Sequence, residues 1–354
     1  MKLLLVTQAV DRDDPVLGFF HRWIEEFATR AEEIHVVCLR EGHHQLPKNV
    51  SVHSLGKESI SREIMIYHNF FQRVRYAVRF WKLTWKLRNE YDAVFVHMNQ
   101  EYVLLGGIMW RIFGKRIVLW RNHAKGSIAT RVASMLAHTV CYTSPAAYVA
   151  HYENAVQMPI GIDTVAFKPG EVQRQKGSIL FLGRLDPVKR VEVFFAALEM
   201  LDKKNAVFHA DVYGSPSEGN DDYAHTVRNQ ASLLALKGKI LMHDAVAHYD
   251  TPSIYAAHAI YVNLTPSGSF DKTIGEAMAS GCIVVTANDA VKGVIPSELF
   301  VGYENAGSVE RALIAALALG EGERSSISER LRNYIITEHS LARLTEQVMA
   351  LFAV

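Results

Sequence analysis

Short apolar runs and longer amphipathic stretches alternate along most of the chain. Residues 3–7, 34–39 and 50–54 read as strands, with an amphipathic helix at about 19–30 after a loop that holds Gly18. Further on, 92–97 predicts a strand, 102–113 a helix, 116–120 a strand, 127–136 a helix and 139–142 a strand. The pattern restarts with strands at 178–182, 207–213, 240–242, 260–264 and 282–286, and with helices at about 191–201 and 273–280. Two more helices, 330–336 and 341–352, close the chain. Repeated β-α-β order with short continuous apolar strands predicts an α/β protein built on doubly wound parallel sheets. Ligands of such sheets sit at the carboxyl ends of the strands. Pro and Gly interrupt the alternation at 159–170 and a polar stretch follows at 173–177, which predicts a hinge between two α/β halves and a cleft between them.

Two segments add chemistry to this plan. At helical spacing within 70–88, Phe71, Val74, Val78, Trp81 and Trp85 form one stripe, and Arg75, Arg79, Lys82 and Lys86 form its neighbour. A basic, aromatic-rich amphipathic helix has the make-up of one lying at a membrane interface against anionic headgroups. The same pattern also suits an aromatic stripe packed in the core with its basic face solvated, and both readings stand. The residues put forward as membrane-facing are Arg75, Arg79, Trp81, Lys82, Trp85 and Lys86. The second segment is 265–285, a small Ser/Gly loop followed by a short helix and a strand. A helix that starts there leaves backbone N–H groups open at its N-terminus, where they and the helix dipole attract a phosphate. Thr273 and Glu276 have the spacing of a capping box, which gives Glu276 a structural role at that terminus.

Composition narrows the class. At 354 residues, 49% apolar and 21% charged, the chain has ordinary globular make-up and room for two domains of ~150 to 180 residues. No apolar run approaches the ~20 residues of a membrane span. Residues 2–7 read as a strand without a basic n-region or cleavage site, so the expected location is cytoplasmic, with or without peripheral contact at the inner face of the membrane. Cys38, Cys141 and Cys282 share no metal-ligand spacing and are expected as buried thiols. The net charge of +1 conceals an asymmetry: residues 1–169 carry 21 Lys and Arg against 15 Asp and Glu, and residues 170–354 carry 17 against 22. A basic first half suits an anionic partner as well as a solvated surface. The Asp11-Arg12-Asp13 triplet follows the first strand closely and reads as a polar turn rather than a metal site.

Three blocks in the second half carry a resemblance. They are Phe181-Leu182-Gly183-Arg184-Leu185-Asp186-Pro187-Val188-Lys189-Arg190, the run from Tyr255 to Ser267, and Glu276-Ala277-Met278-Ala279-Ser280-Gly281 with the valines after it. In this order they resemble the retaining glycosyltransferases of family four, the group 1 glycosyltransferases of GT-B fold. The first half is similar more weakly, through the loop with Gly18, the strand ending in His97, the strand followed by Arg121-Asn122-His123, and Pro159-Ile160-Gly161-Ile162-Asp163 with Phe167 and Pro169. The resemblance implies two Rossmann-like domains facing across a cleft. Residues 1–168 would be the acceptor domain, 169–335 the nucleotide-sugar domain, and 336–354 a helix crossing back to the first.

It also implies roles. Arg184 and Lys189 would neutralise the leaving diphosphate, with His123 beside the sugar as a third catalytic residue. Gly18 would let the backbone approach the diphosphate. Gly268, Ser269, Phe270, Asp271, Lys272 and Thr273 would cradle the distal phosphate and the sugar, and Glu276 would accept from both ribose hydroxyls. His97 and Asn99 would lie on the acceptor or sugar side. The chemistry implied is transfer from a UDP- or GDP-type sugar to a glycan or lipid-linked glycan, in cell-envelope or polysaccharide biosynthesis, with retention at the anomeric carbon. The leaving diphosphate would serve as base, with no metal, no cofactor and no nucleic acid. One position departs from the family: where it usually has a glutamate, eight residues before Glu276, this chain has Gly268, and Asp271 offers a carboxylate nearby. A noncatalytic nucleotide-sugar binder and another GT-B enzyme, such as a nucleotide-sugar epimerase, are the alternatives.

Overall fold

The computed structural model describes residues 1–57, 69–170 and 174–353. Gln173, at the start of the polar stretch named above, lies outside them. The chain forms two compact units, one made of Met1–Met158 with Leu344–Val354 and the other of Pro159–Arg343.

The first unit runs β1 (Lys2–Val10), α1 (Phe19–Ala28), β2 (Glu33–Glu41), β3 (Val50–Ser54), α2 (Asn69–Lys86), β4 (Ala93–His97), α3 (Gln100–Ile112), β5 (Arg116–Trp120), α4 (Ile128–Leu136), β6 (Thr139–Tyr142) and β7 (Ala155–Gln157). All seven strands pair in parallel, in the order β3-β2-β1-β4-β5-β6-β7. The alternation of side chains explains the layers. Leu4, Val6, Val94, Val96, Ile117 and Leu119 point to one face, where Phe80 of α2, Trp110 of α3 and Ala133 of α4 cover them. Residues of opposite parity, such as Phe95 and Trp120, meet Phe27 and Trp23 of α1 on the other face. Three helices therefore share one layer, and α1 lies on the opposite one.

The second unit repeats the plan with β8 (Ser178–Leu182), α5 (Val191–Lys203), β9 (His209–Tyr213), α6 (Asp221–Leu236), β10 (Ile240–His243), α7 (Thr251–Ala257), β11 (Ile260–Asn263), α8 (Lys272–Ala279), β12 (Ile283–Thr286), α9 (Ala306–Ala318) and α10 (Glu321–His339). A last helix, α11 (Leu341–Ala350), follows. The parallel order is β10-β9-β8-β11-β12, the same as the first five strands of the other sheet. Its central strands β8 and β11, and β12 beside them, are buried on both faces, which is why they read as nearly continuous apolar runs. The periodicity gives no sign of α6 or α9. Alanines fill part of their buried faces, Ala224 and Ala231 beside Val227 and Leu234 in α6 and Ala312 and Ala316 beside Val309 and Leu313 in α9, which narrows the large-residue apolar stripe.

The Pro/Gly-rich segment 159–170 is part of the second unit's packing rather than a loose connector. Ile160, Ile162 and Phe167 are buried in its core, and Ile162 pairs with the chain at Ser340. Gly275 of α8 faces Ile160 so closely that a Cβ there would stand 2.5 Å from Cδ1 of Ile160. Helix α8 ends in a Schellman motif: Gly281 takes φ +81°, its N–H donates to Met278 O at 3.0 Å, and the Cys282 N–H donates to Ala277 O at 2.9 Å. The three cysteines are free and buried, and burial pushes the Cys38 thiol up to about 12 and the Cys282 thiol up to about 11. Among the described residues, no helix is long and apolar enough to cross a membrane.

Candidate active site

In each unit the strand order reverses beside the first strand, between β1 and β4 and between β8 and β11. Ligands of doubly wound sheets bind outside the carboxyl ends of the strands at this point. In the second unit, the loop after β8 carries Arg184 and Lys189, and the loop after β11 carries 265–271 and leads into α8. The two most informative sequence blocks thus meet at one end of one sheet.

There the chain has built a partly buried polar network. Lys189 Nζ lies 2.6 Å from Asp271 Oδ2 and donates to Thr265 Oγ1 at 3.1 Å. Asn263 Nδ2 and Thr265 Oγ1 donate to the same carboxylate oxygen, at 3.1 and 3.2 Å. The Thr273 hydroxyl donates to Asp271 Oδ1 at 3.1 Å. Burial pushes the Asp271 carboxyl up, but the Lys189 ammonium and the bonds from Asn263 and Thr273 outweigh it and hold the group well below the usual carboxylate range. Arg184 is more open to solvent and pairs with Asp186 at 3.2 Å.

Asp271 also caps α8, its side chain accepting from the Thr273 N–H. This corrects the capping-box expectation, because the helix begins one residue before Thr273 and Asp271 takes the cap. Glu276 is instead buried and held from the side: Oε1 meets His248 Nε2 at 2.9 Å, and Oε2 accepts from the Tyr255 hydroxyl at 3.2 Å. Lys272 donates to the Ile160 carbonyl, and burial pushes its ammonium down to about 7 against the pull of Glu276 and Asp271. The Phe270 side chain is buried and meets the His339 ring edge-on, so this residue offers only its backbone. The Ser269 carbonyl accepts from Asn288 Nδ2 at 2.9 Å, and Gly268 lies in the loop just before it.

The first unit places its named residues along the carboxyl ends of β1, β4 and β5. Gly18 leads into α1 with an ordinary helical φ of −56°, so no left-handed backbone calls for glycine there. Asp11 and Asp14 both pair with Arg40, which makes the acidic stretch after β1 an ion-paired turn. His97 is buried, its ring stacked on Phe20 at 4.0 Å and its Nδ1 3.2 Å from Thr7 Oγ1. Asn99 precedes α3 and makes no side-chain cap. His123 is exposed in the loop after β5, its carbonyl accepting from the Tyr148 N–H at 2.9 Å.

With this geometry in view, residues 176–318 match the family model described as Glycosyl transferases group 1. This stretch is similar to the group 1 glycosyl transferases. No curated protein sequence matches the chain. Over its full length the chain has the GT-B fold of solved glycosyltransferases. It is similar to Anabaena HepE in complex with UDP and glucose, at 16% identity and a TM-score of 0.76, over 100% of this chain and 99% of that one. It is also similar to sucrose-phosphate synthase from Thermosynechococcus elongatus, at 15% identity and a TM-score of 0.77, over 100% and 98%. A glycosyltransferase from Rickettsia africae matches at 16% identity and a TM-score of 0.76, over 99% and 97%.

Within residues 176–318, the sequence reading finds Arg184, Lys189, Asp271 and Glu276 and misses the groups that hold them. Asn263, at the end of a strand that is otherwise apolar, is a signal open to such a reading. His248 and Tyr255 are not, since nothing local marks them as partners of Glu276.

Proposed function

We propose that the chain is a retaining glycosyltransferase that moves a sugar from a nucleotide-diphosphate sugar to a glycan or lipid-linked glycan. The observation that carries this reading is the convergence of Lys189, Asp271 and Glu276 at the switch point of a domain that matches the group 1 family model. UDP is favoured as the nucleotide because HepE was solved with UDP and with UDP-glucose. Glu276, fixed by His248 and Tyr255, is the carboxylate suited to a ribose diol. Lys189 and Arg184 are the cations suited to the diphosphate, as a point charge and as a planar fork. The leaving diphosphate takes the acceptor proton on the face it vacates. The protein's part is to stabilise charge, and no metal enters the scheme. His123 is assigned to the sugar side and Gly18 to the diphosphate side. Helix α2 supplies peripheral contact with the inner face of a membrane, where a lipid-linked acceptor resides.

One observation favours a second reading. Lys189 is already neutralised by Asp271, and Gly268 stands where the family usually has a glutamate, which suits a protein that binds nucleotide-sugars without turning them over. Incubation of the purified protein with a panel of UDP- and GDP-sugars and membrane lipid extract separates the two. Release of nucleotide with a glycosylated lipid whose anomeric configuration matches the donor supports transfer. Thermal stabilisation by a nucleotide-sugar without release supports the binder, and neither effect with any donor sinks both.

A further inference from the structure

We propose that the outer face of α2, α3 and α4 together is a docking surface for an anionic lipid bilayer. The inference rests on the peripheral contact assigned above to α2 and extends it to two helices whose sequences gave no such sign. All three helices are anchored from below. Phe80, Thr84 and Leu87 are buried under α2, Val103, Met109 and Trp110 under α3, and Ala133 and Ser134 under α4. Their outward residues are therefore not needed to hold the fold.

Those outward residues are large and apolar. On α2, Phe71 is 81% exposed and Trp81 51%, so the aromatic stripe of this helix does not lie in the core. On α3, Leu105, Ile108 and Ile112 are 40%, 64% and 76% exposed. On α4, Ile128, Val132 and Met135 are 85%, 43% and 71% exposed. Isolated exposed apolar side chains are common on soluble proteins, but contiguous ones mark an interaction surface. Here they are joined. The Trp81 and Trp85 rings stack at 6.1 Å, and Trp85 meets Phe113, just beyond α3, edge-on at 5.5 Å. Arg111 of α3 donates to the Leu136 carbonyl at 2.8 Å and to the Met135 carbonyl at 3.2 Å, which ties α3 to the end of α4.

Charge selects the occupant. The three helices carry seven Lys and Arg, five of them on α2, and a single carboxylate, Glu101. On α2 the exposed cations Arg75, Arg79, Lys82 and Lys86 form a row beside the aromatic stripe, and Arg79 donates to the Leu55 carbonyl just beyond β3. Aromatic rings beside a row of cations are the elements that sit at the headgroup level of a bilayer and against its anionic lipids. The opposite layer has another character. On α1, Arg22 pairs with Glu25 at 2.9 Å, and Glu26 lies 3.8 Å from both Arg22 and Arg30, the pattern of a solvated face.

The test is flotation of the full chain with vesicles of phosphatidylcholine alone and of equal parts phosphatidylcholine and phosphatidylglycerol. Binding is expected only to the anionic vesicles and falls as salt rises. The combined variant Ile108→Ser, Ile112→Ser, Ile128→Ser and Met135→Ser is expected to lower the partition coefficient at least about tenfold. The Trp81→Ser, Trp85→Ser pair lowers it as well. Unchanged thermal midpoints show that both variants fold. If the Trp variant loses binding and the Ile/Met variant does not, α2 alone makes the contact and the three-helix surface is overturned. If the unaltered chain binds neither vesicle, the α2 contact fails with it. A concentration-dependent dimer that the Ile/Met variant dissolves, without vesicle binding, would assign the face to a second copy instead and overturn the proposal. Transfer activity on a soluble acceptor is read separately and bears only on the function of the second unit.

Discussion

Helices α2 and α8 are both amphipathic, and they put opposite things out of place. Helix α2 leaves Trp81 and Trp85 about half exposed. In α8, every residue from Ile274 to Ala279 is buried, and one of them is the carboxylate of Glu276. An exposed aromatic and a buried charge are each costly unless something meets them, so they are the places where a structure speaks of function rather than folding. At α8 the partners are present in the chain, as His248 and Tyr255 for Glu276 and as Lys189 for Asp271. At α2 the described residues offer the outer face only its neighbours in the same layer. One helix is a finished polar site and the other keeps large apolar side chains exposed.

That contrast is sharpest within α2 itself. Phe80→Ala, on the buried side, is expected to lower unfolding free energy by about 3–5 kcal/mol, whereas Trp81→Ala one residue away changes it by no more than about 0.5 kcal/mol, both read from urea denaturation. Equal costs would mean that Trp81 belongs to the core. At α8 the corresponding change is in chemistry. Lys189→Ala and Glu276→Ala are each expected to lower kcat/KM for a UDP-sugar by about 10²–10³, the scale for losing one preorganised charge contact. A loss under about threefold in both would remove the site from this end of the sheet.

Asp271→Asn tests whether the finished site is finished at a cost in binding. It frees Lys189 and is expected to tighten UDP while lowering stability by about 1–3 kcal/mol, seen by calorimetry and denaturation respectively. Its pH dependence has a definite sign. The carboxyl is held below its unfolded value of about 3.9, so its contribution is complete above that pH and is lost as pH falls further. With no carboxyl left to titrate at this position, the variant should lack that part of the acid transition.

The smallest expected effect is at His339, which burial, aided by the charge of Arg343, pushes from 6.5 down to about 4. The unfolded chain takes up a proton near 6.5 that the folded one refuses until about 4. Stability is therefore full above 6.5 and declines between the two values. His339→Gln should flatten the thermal midpoint across that window, and an unchanged slope would locate the acid sensitivity elsewhere.

Much of the fold was open to reading because parallel strands buried on both faces leave continuous apolar runs. The site blocks were readable through the resemblance carried by three contiguous motifs, and their loops fall at the carboxyl ends of such strands, where doubly wound sheets bind ligands. Glu276 shows where local reading stops. The Thr273 and Glu276 spacing is that of a capping box, yet Asp271 caps α8 and Glu276 turns sideways to His248 and Tyr255. His97 shows the same limit: its place at a strand end suits a ligand contact, but the rings that pack against it, Phe20 stacked and Trp23 tilted, come from α1 on a separate stretch of chain.

The sequence by itself determined the α/β class, the strands, and the residue types at the end of the second sheet, because these follow from local periodicity and from motifs contiguous in the chain. Only the tertiary structure decided that Lys189 meets Asp271 across 82 residues and that Glu276 meets His248 across 28. It also decided that the outward stripes of three separate helices lie side by side in one layer. Hydrophobic periodicity records which face of an element is apolar. Whether that face is covered, and what a charge meets, depends on chain brought together from far apart.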